Sequence, residues 1–282
     1  RTVPGAGGTR WEQWDLARAL QRERPDVLFA PGYTAPLGTP APIALAVHDV
    51  SFFAHPEWFS KREGLRRRQI TAWSVRRARL VLAPSAFSGR EIVTFTGVPE
   101  ARVRVVPLGV RQLGCDPAPS GTRPPVVLYA GSLFQRRRVD VLVEAFADIA
   151  ARHPEARLEI VGENRTVPHV DFGALVARHG LNAQVTFRHW VDDATLDALY
   201  RQAAVFVFLS QYEGFGFTPL EAMAGGAVPV VLDTEVAREI YGDAAVRLPD
   251  GPGLRPALAS ALERLLASDA ARQQTLSAAP AI

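Results

Sequence analysis

Two carboxylates eight residues apart, Glu213 and Glu221, bracket the run Gly214-Phe-Gly-Phe-Thr-Pro-Leu220. Gly214 and Gly216 let backbone approach a ligand closely, because no Cβ stands in the way. Thr218, Pro219 and Glu221 follow in the order of a helix start, with a hydroxyl at the N-cap, proline at N1 and a carboxylate at N3. The unpaired N–H groups and positive dipole end of such a helix face the glycine loop, a setting suited to phosphate. Glu221 therefore reads either as a capping partner or as a ligand group. Glu213 lies on the loop itself and reads as functional against the plainer alternative of a solvated glutamate. Arg136, Arg137 and Arg138 form a second group behind Gly131-Ser132, an anion site if it stands at a sheet edge and otherwise an exposed basic turn. His48-Asp49 is the third, a histidine pair whose ordinary reading is structural.

The elements that position these groups are legible from periodicity. Val205-Phe-Val-Phe-Leu209 is a short unbroken apolar run, the pattern of a parallel strand covered on both faces. It delivers the Ser210–Phe217 loop to the C-terminal edge of a sheet, where an open α/β sheet binds its ligand. Val126–Tyr129 does the same for Gly131 to Arg138, and Ile43–Val47 for His48. Further strands are expected at 27–30, 80–83, 103–106, 157–161, 185–187, 228–231 and 245–248. Helices are expected at 11–23 (apolar stripe Trp11, Trp14, Leu16, Leu20), 61–80, from Ser85, after Arg138 (Val139, Leu142, Val143, Phe146 and Ile149 on one face), 193–201, 233–239 and 254–266. Arg111 to Pro125 has no periodicity and reads as a linker. The fold class is α/β, with domains at 1–115 and 126–282 joined by 116–125.

At Glu213-Gly-Phe-Gly-Phe-Thr-Pro-Leu-Glu221-Ala-Met-Ala-Gly-Gly-Ala-Val-Pro-Val the chain resembles the E-x7-E signature of glycosyltransferase family 4, the retaining, mannosyltransferase-like group 1 enzymes. The resemblance implies a GT-B fold, two Rossmann-like lobes facing a cleft. It implies that Glu213 lies by the donor sugar, that Glu221 bonds the nucleotide ribose and that the backbone of Gly214, Phe215, Gly216 and Phe217 holds the diphosphate. His48-Asp-Val-Ser-Phe-Phe-Ala-His-Pro-Glu-Trp-Phe59 is similar to the segment whose histidine faces the reacting sugar, with Asp49 holding its tautomer. Ala130-Gly-Ser-Leu-Phe-Gln-Arg-Arg-Arg138 is similar to the first donor-domain loop, so Gly131, Ser132 and Arg136 join the donor site. Arg137 stands where the family carries lysine, a departure that exchanges a compact charge for a planar fork; Arg138 is the substitute if the turn is shifted. His189, Trp190 and Val191 occupy the turn that reads the base. Family members also carry strands ahead of the segment beginning near Trp11 and a crossing helix after Leu265, so the first lobe is expected to be truncated at its N-terminus.

Composition narrows the function. The 282 residues are 48% apolar, enough to fill real cores, and no run approaches a membrane span or a signal peptide. The cytoplasm is the expected compartment. Cys115 is the only cysteine and Lys61 the only lysine, so no disulfide framework exists within the chain and its basic charge is arginine, for a net charge of +3. No nucleic-acid motif accompanies that charge. Arg66, Arg67, Arg68, Arg76, Arg77 and Arg79 read as a solvated helix face, or as a peripheral membrane contact through 61–79 at the inner membrane face.

The expected function is retaining transfer of a hexose, mannose favoured, from a nucleoside diphosphate sugar to a glycan or lipid-linked acceptor in polysaccharide assembly. The departing phosphate helps deprotonate the acceptor on the same face, with no cofactor and no obligatory metal. A nucleotide-sugar epimerase of like architecture and a non-catalytic nucleotide-sugar-binding remnant are the alternatives. A nicotinamide-dependent oxidoreductase lacks its glycine fingerprint here.

Overall fold

The computed structural model describes residues 2–5, 7–110 and 123–279. The chain divides into two compact units, 1–108 with Glu213–Phe215, and 109–212 with 216–282. Most of the expected linker, including Cys115, lies outside the described residues. Arg123, just beyond them, is clamped within the second unit, donating to the carbonyls of Arg201, Ala203 and Gly225 at 2.7–2.8 Å.

The first unit is built on a four-stranded parallel sheet whose spatial order follows the chain: β1 (Leu28–Ala30), β2 (Ile43–Ala46), β3 (Leu80–Ala83) and β4 (Val103–Val105). Ile43, Leu45, Val47, Val81 and Ala83 meet Val75 and Ile92 in its core. Helix α1 (Ala17–Glu23) continues from a π-helical turn, Trp11–Leu16. The expected stripe holds only in part: Leu20 is buried and Trp11 and Leu16 are half-buried, but Trp14 is 60% exposed while Ala17 and Ala19 are buried, because a five-residue hydrogen-bonding step rotates the side chains off a 3.6-residue pattern.

Helix α2 (Lys61–Arg77) starts at a Ser60 cap. Its arginines are largely engaged with protein: Arg66 and Arg67 with Glu63, Arg68 with the Phe52 carbonyl and Arg77 with that of Thr39. Two guanidinium groups hold the Glu63 carboxyl down to about 2, Arg66 contributing most. Helix α3 (Ala86–Thr96) has Ser85 as its N-cap and ends on Gly97 in the left-handed region.

The second unit carries six parallel strands: β5 (Val126–Ala130), β6 (Arg157–Val161), β7 (Val185–Arg188), β8 (Val205–Phe208), β9 (Val228–Leu232) and β10 (Val246–Leu248), in the order β10-β9-β8-β5-β6-β7. All four residues of β8 are buried, as expected of a strand covered on both faces. Pro229 sits inside β9, where a missing N–H would ordinarily break a ladder. Val228 donates to Ala204 on the β8 side, so Pro229 faces the other way, and β10 pairing begins only at Val230. The absent donor thus has no strand opposite it.

Helix α4 (Val139–Ala150) buries Val139, Leu142, Val143, Phe146 and Ile149, the face read from the sequence. The remaining helices are α5 (Phe172–Arg178), α6 (Asp193–Gln202), α7 (Phe217–Ala224), α8 (Glu235–Tyr241), α9 (Leu254–Ala267) and α10 (Asp269–Leu276). Asp171, Asp192, Thr234 and Ser268 cap α5, α6, α8 and α10 through their side chains. Among the described residues no helix is long and apolar enough to cross a membrane.

Candidate functional site

In the second unit the chain leaves β5 outward through β6 and β7, then returns to the other side of β5 and runs outward through β8, β9 and β10. The strand order therefore reverses between β5 and β8. Loops leaving these two strands diverge beyond their C-terminal ends and open the crevice in which doubly wound sheets bind ligands. The 131–138 loop and the 210–212 and 216–217 ends of the second sequence-predicted phosphate loop stand at this point.

The loop after β5 is held tightly. Gly131 has φ 140 and donates to the Val161 carbonyl at 2.9 Å. A Cβ on it would come within 2.7 Å of Arg137 Nη1, and one on Gly162 within 2.0 Å of the Gly131 carbonyl oxygen. Arg137 Nη1 donates to the Ser132 carbonyl at 3.1 Å, which also takes the Tyr129 hydroxyl at 2.9 Å. The Arg136 guanidinium carbon lies 4.4 Å from the Phe134 ring centre and that of Arg137 4.8 Å from the Phe208 ring centre at the end of β8. Both guanidinium groups thus lie against aromatic faces. Arg138, at φ 50, is paired with Asp250 at 2.9 Å. The Gln211 N–H donates to the Arg136 carbonyl at 3.0 Å and ties the two loops together across the reversal.

The helix after β8 starts two residues earlier than its sequence signature suggests. Gly216, at φ 89, is the N-cap of α7, and Thr218 lies inside the first turn with its hydroxyl buried and unpaired. Glu221 is therefore too far along to close a capping box. Its Oε2 accepts from the Tyr200 hydroxyl at 3.0 Å, and Tyr200 is wholly buried. The capping reading is corrected: the carboxylate is aimed by a tyrosine from α6. Gly216 is needed because a Cβ would stand 1.9 Å from the Tyr241 hydroxyl, which donates to the Gly216 carbonyl at 2.9 Å. At the end of β7, Trp190 is 76% exposed and Val191 is half-buried, just ahead of the Asp192 cap of α6.

In the first unit His48 follows β2 as expected. Its Nε2 lies 2.8 Å from the Pro31 carbonyl oxygen, an acceptor only, so Nε2 carries the proton and Nδ1 offers a lone pair. The tautomer is set by this carbonyl and not by Asp49, which corrects the sequence reading. Asp49 accepts from the Tyr33 hydroxyl at 2.7 Å and from the Ser51 N–H at 2.8 Å. Tyr33 is folded at φ 60, which brings its phenol to Asp49 and its ring edge to 5.7 Å from the His48 ring. Burial, then the Asp49 carboxylate, pushes the phenol far above its ordinary range.

Glu213–Phe215 packs within this same unit. The Gly214 carbonyl accepts from Ser85 Oγ at 2.6 Å and from Ser88 Oγ at 3.0 Å. A Cβ on Gly214 would lie 1.8 Å from the His48 carbonyl oxygen. The bare faces of Gly214 and Gly216 are thus filled by protein, not left open to a ligand as the sequence suggested. Tyr33, Tyr200 and Tyr241 escaped sequence reasoning as supports of the site, and Ser85 and Ser88 were legible as a helix start but not as donors to Gly214.

A parallel α/β unit with paired guanidinium groups and a helix start at its switch point, together with a second parallel α/β unit, defines a protein of the GT-B class. The solved structure of Anabaena HepE in complex with UDP and glucose matches it with a TM-score of 0.74 at 20% identity, over 96% of this chain and 77% of that one. Residues 116–281 match the family Glycosyl transferases group 1, and residues 2–112 match Glycosyltransferase Family 4. The chain belongs to the group 1 glycosyltransferases of family 4. Mannosylfructose-phosphate synthase of Agrobacterium fabrum is 40% identical over 112 residues, 38% of this chain and 25% of that protein. The GDP-mannose:cellobiosyl-diphosphopolyprenol alpha-mannosyltransferase of Xanthomonas campestris is 28% identical over 194 residues, 68% of this chain and 50% of that one. The chain spans from a quarter to half of the length of these relatives.

Proposed function

We propose that this chain serves a retaining hexosyltransferase that moves a hexose, mannose favoured, from a nucleoside diphosphate sugar to a glycan or lipid-linked acceptor. The observation that carries the reading is the β5/β8 reversal, where Arg136, Arg137 and the start of α7 converge. Family membership and the mannosyl relatives support the donor class.

In this reading Arg136, Arg137 and the backbone N–H groups of 214–217 take up the charge that develops on the departing diphosphate. Fixed donors and cations do this without reorganising during the reaction. Glu221, aimed by Tyr200, accepts from the ribose, and Trp190 and Val191 border the base. Glu213 and His48 address the sugar, His48 accepting a hydroxyl through Nδ1. The acceptor oxygen bonds to the anomeric carbon as the bond to phosphate breaks, and the acceptor proton passes to a departing phosphate oxygen. The arginines supply the charge a metal would otherwise supply, so no metal is required. The activity is cytoplasmic, with any membrane contact made peripherally through 61–79.

Calorimetric titration with GDP, UDP, ADP and NAD in chelator tests this. One nucleoside diphosphate should bind, and Arg137→Ala should weaken it about 10- to 150-fold, the range for a charged hydrogen-bond partner. Binding of NAD alone, or no change in Arg137→Ala, overturns the assignment.

A further inference from the structure

A cavity of about 180 Å³ opens in the first unit among Tyr33, Thr34, Phe52, Arg66, Arg67 and Thr71. One water needs only roughly 10–15 Å³ of such space, so the cavity can take a larger group. Its two arginines differ in what they have left to offer. Arg66 is engaged at all three nitrogens, Nε and Nη2 on Glu63 at 3.1 and 2.9 Å and Nη1 on Thr9 Oγ1 at 2.8 Å. Arg67 meets Glu63 through Nε alone, at 2.7 Å. Its Nη1 and Nη2, the end of the guanidinium that matches a carboxylate or phosphate bidentately, remain for a further acceptor. Glu63 thereby fixes the direction of Arg67, whose guanidinium carbon also lies 5.7 Å from the Phe59 ring centre, and its Nη atoms meet no hydrogen-bond acceptor among the described residues.

Tyr33 joins this cavity to the candidate chemistry. It lines the cavity, touches the His48 ring edge-on and donates to Asp49. The charges of Arg67 and Glu213 both reach its phenol. A bulky side chain at φ 60 is rare outside sites that require it. Opposing charge is also present: Glu12 accepts the Thr34 hydroxyl at 2.6 Å, and Glu63 faces both arginines. Arg68 stands on the neighbouring Phe52 carbonyl, and Asp49 and Glu213 add two carboxylates at Tyr33. Four carboxylates against three guanidinium groups disfavour a polyanion, so a single anionic group is held here by the fork of Arg67.

We propose that this cavity is a subsite for an acceptor that carries an anionic group, phosphoryl or carboxyl, with Arg67 as its bidentate partner. The proposal rests on the glycosyltransferase reading for the word acceptor, while the anion site itself stands on the first unit alone.

The test titrates the full chain calorimetrically with glucose 6-phosphate, glucuronate and glucose, with GDP or UDP, whichever binds, held at saturation to fill the diphosphate site. Wild type should bind one or both anions more tightly than glucose, and the two arms separate phosphoryl from carboxyl. Arg67→Met should weaken the bound anion at least about tenfold. Arg76→Met, the same charge change on an exposed position of the same helix, should alter it less than about twofold. Circular dichroism confirms that both variants fold, and Arg67→Lys, which keeps charge but loses the fork, should fall between wild type and Arg67→Met. Equal binding of glucose and the anions, or equal losses in Arg67→Met and Arg76→Met, overturns the proposal. If no nucleotide binds, the same titrations in Arg137→Ala still read the cavity. Arg67-dependent anion binding there sinks the donor reading alone, and its absence in a chain that binds nucleotide sinks this inference alone.

Discussion

Tyr200 is predicted to tune nucleotide affinity without touching the nucleotide. Its hydroxyl donates to Glu221 Oε2 at 3.0 Å from a fully buried ring, and Glu221 is half-buried. If Glu221 bonds the ribose, Glu221→Ala removes a charged acceptor worth about 1.5–3 kcal/mol, or about 10- to 150-fold in affinity. Tyr200→Phe leaves the carboxylate in place but unaimed. Because water reaches a half-buried carboxylate, the lost bond falls near 0.5–1.5 kcal/mol, about 2- to 13-fold. The assay is a double-mutant cycle on nucleoside diphosphate affinity, measured calorimetrically for wild type, each single variant and the pair. In the Glu221→Ala background, Tyr200→Phe should change affinity by less than about twofold. An undiminished Tyr200→Phe effect in that background would refute the reasoning, since the tyrosine would then act through packing.

Three further outcomes are expected. Arg137→Lys should keep nucleoside diphosphate affinity within about tenfold of wild type, because a point charge still meets phosphate; a loss as large as that of Arg137→Ala would show the planar fork to be indispensable. Gly214→Ala sets a Cβ against the His48 carbonyl, and overpacking of about 1–3 kcal/mol should lower the melting temperature by several degrees; unchanged melting would mean the backbone yields freely. The Glu63 carboxyl should titrate near about 2 by NMR. A carboxyl depressed in the folded state contributes stability above its ordinary range and loses it as pH falls through that value, so a midpoint near 4.5 would disprove the pairing with Arg66 and Arg67.

Periodicity carried the scaffold. The unbroken Val205–Phe208 run and the one-sided face of α4 each have a single comfortable solution, and both are found. Local signals misled where a neighbour distant in sequence decides. Thr218-Pro219 looks like a helix start, yet Tyr241 fixes Gly216 in a left-handed turn and begins the helix earlier. Asp49 looked like the partner of His48 because it is adjacent, but Tyr33 and Ser51 claim it and Pro31 holds the imidazole. The π turn at Trp11–Leu16 breaks the periodicity on which the helix reading depends. The short helix α5, with a glycine in its first turn, offered little periodic signal at all. The glycine, arginine and glutamate positions of the candidate site were proposed from residue types at spacings. Their supports were not, because tertiary contacts among tyrosines and serines leave no local pattern.

The hydrogen bond from the Gln211 N–H to the Arg136 carbonyl belongs to a closed circuit. Gln211 also donates through Nε2 to Asp250 at 2.9 Å, and Asp250 holds Arg138. Segments following β5, β8 and β10 are thereby coupled into one frame. A ligand arriving at the switch point meets cations whose backbone is already set, so less of the roughly 0.5–1.5 kcal/mol per ordered side chain remains to be spent on binding. The same coupling makes Asp250, through Arg138 and Gln211, a place where sequence drift would loosen the whole rim at once.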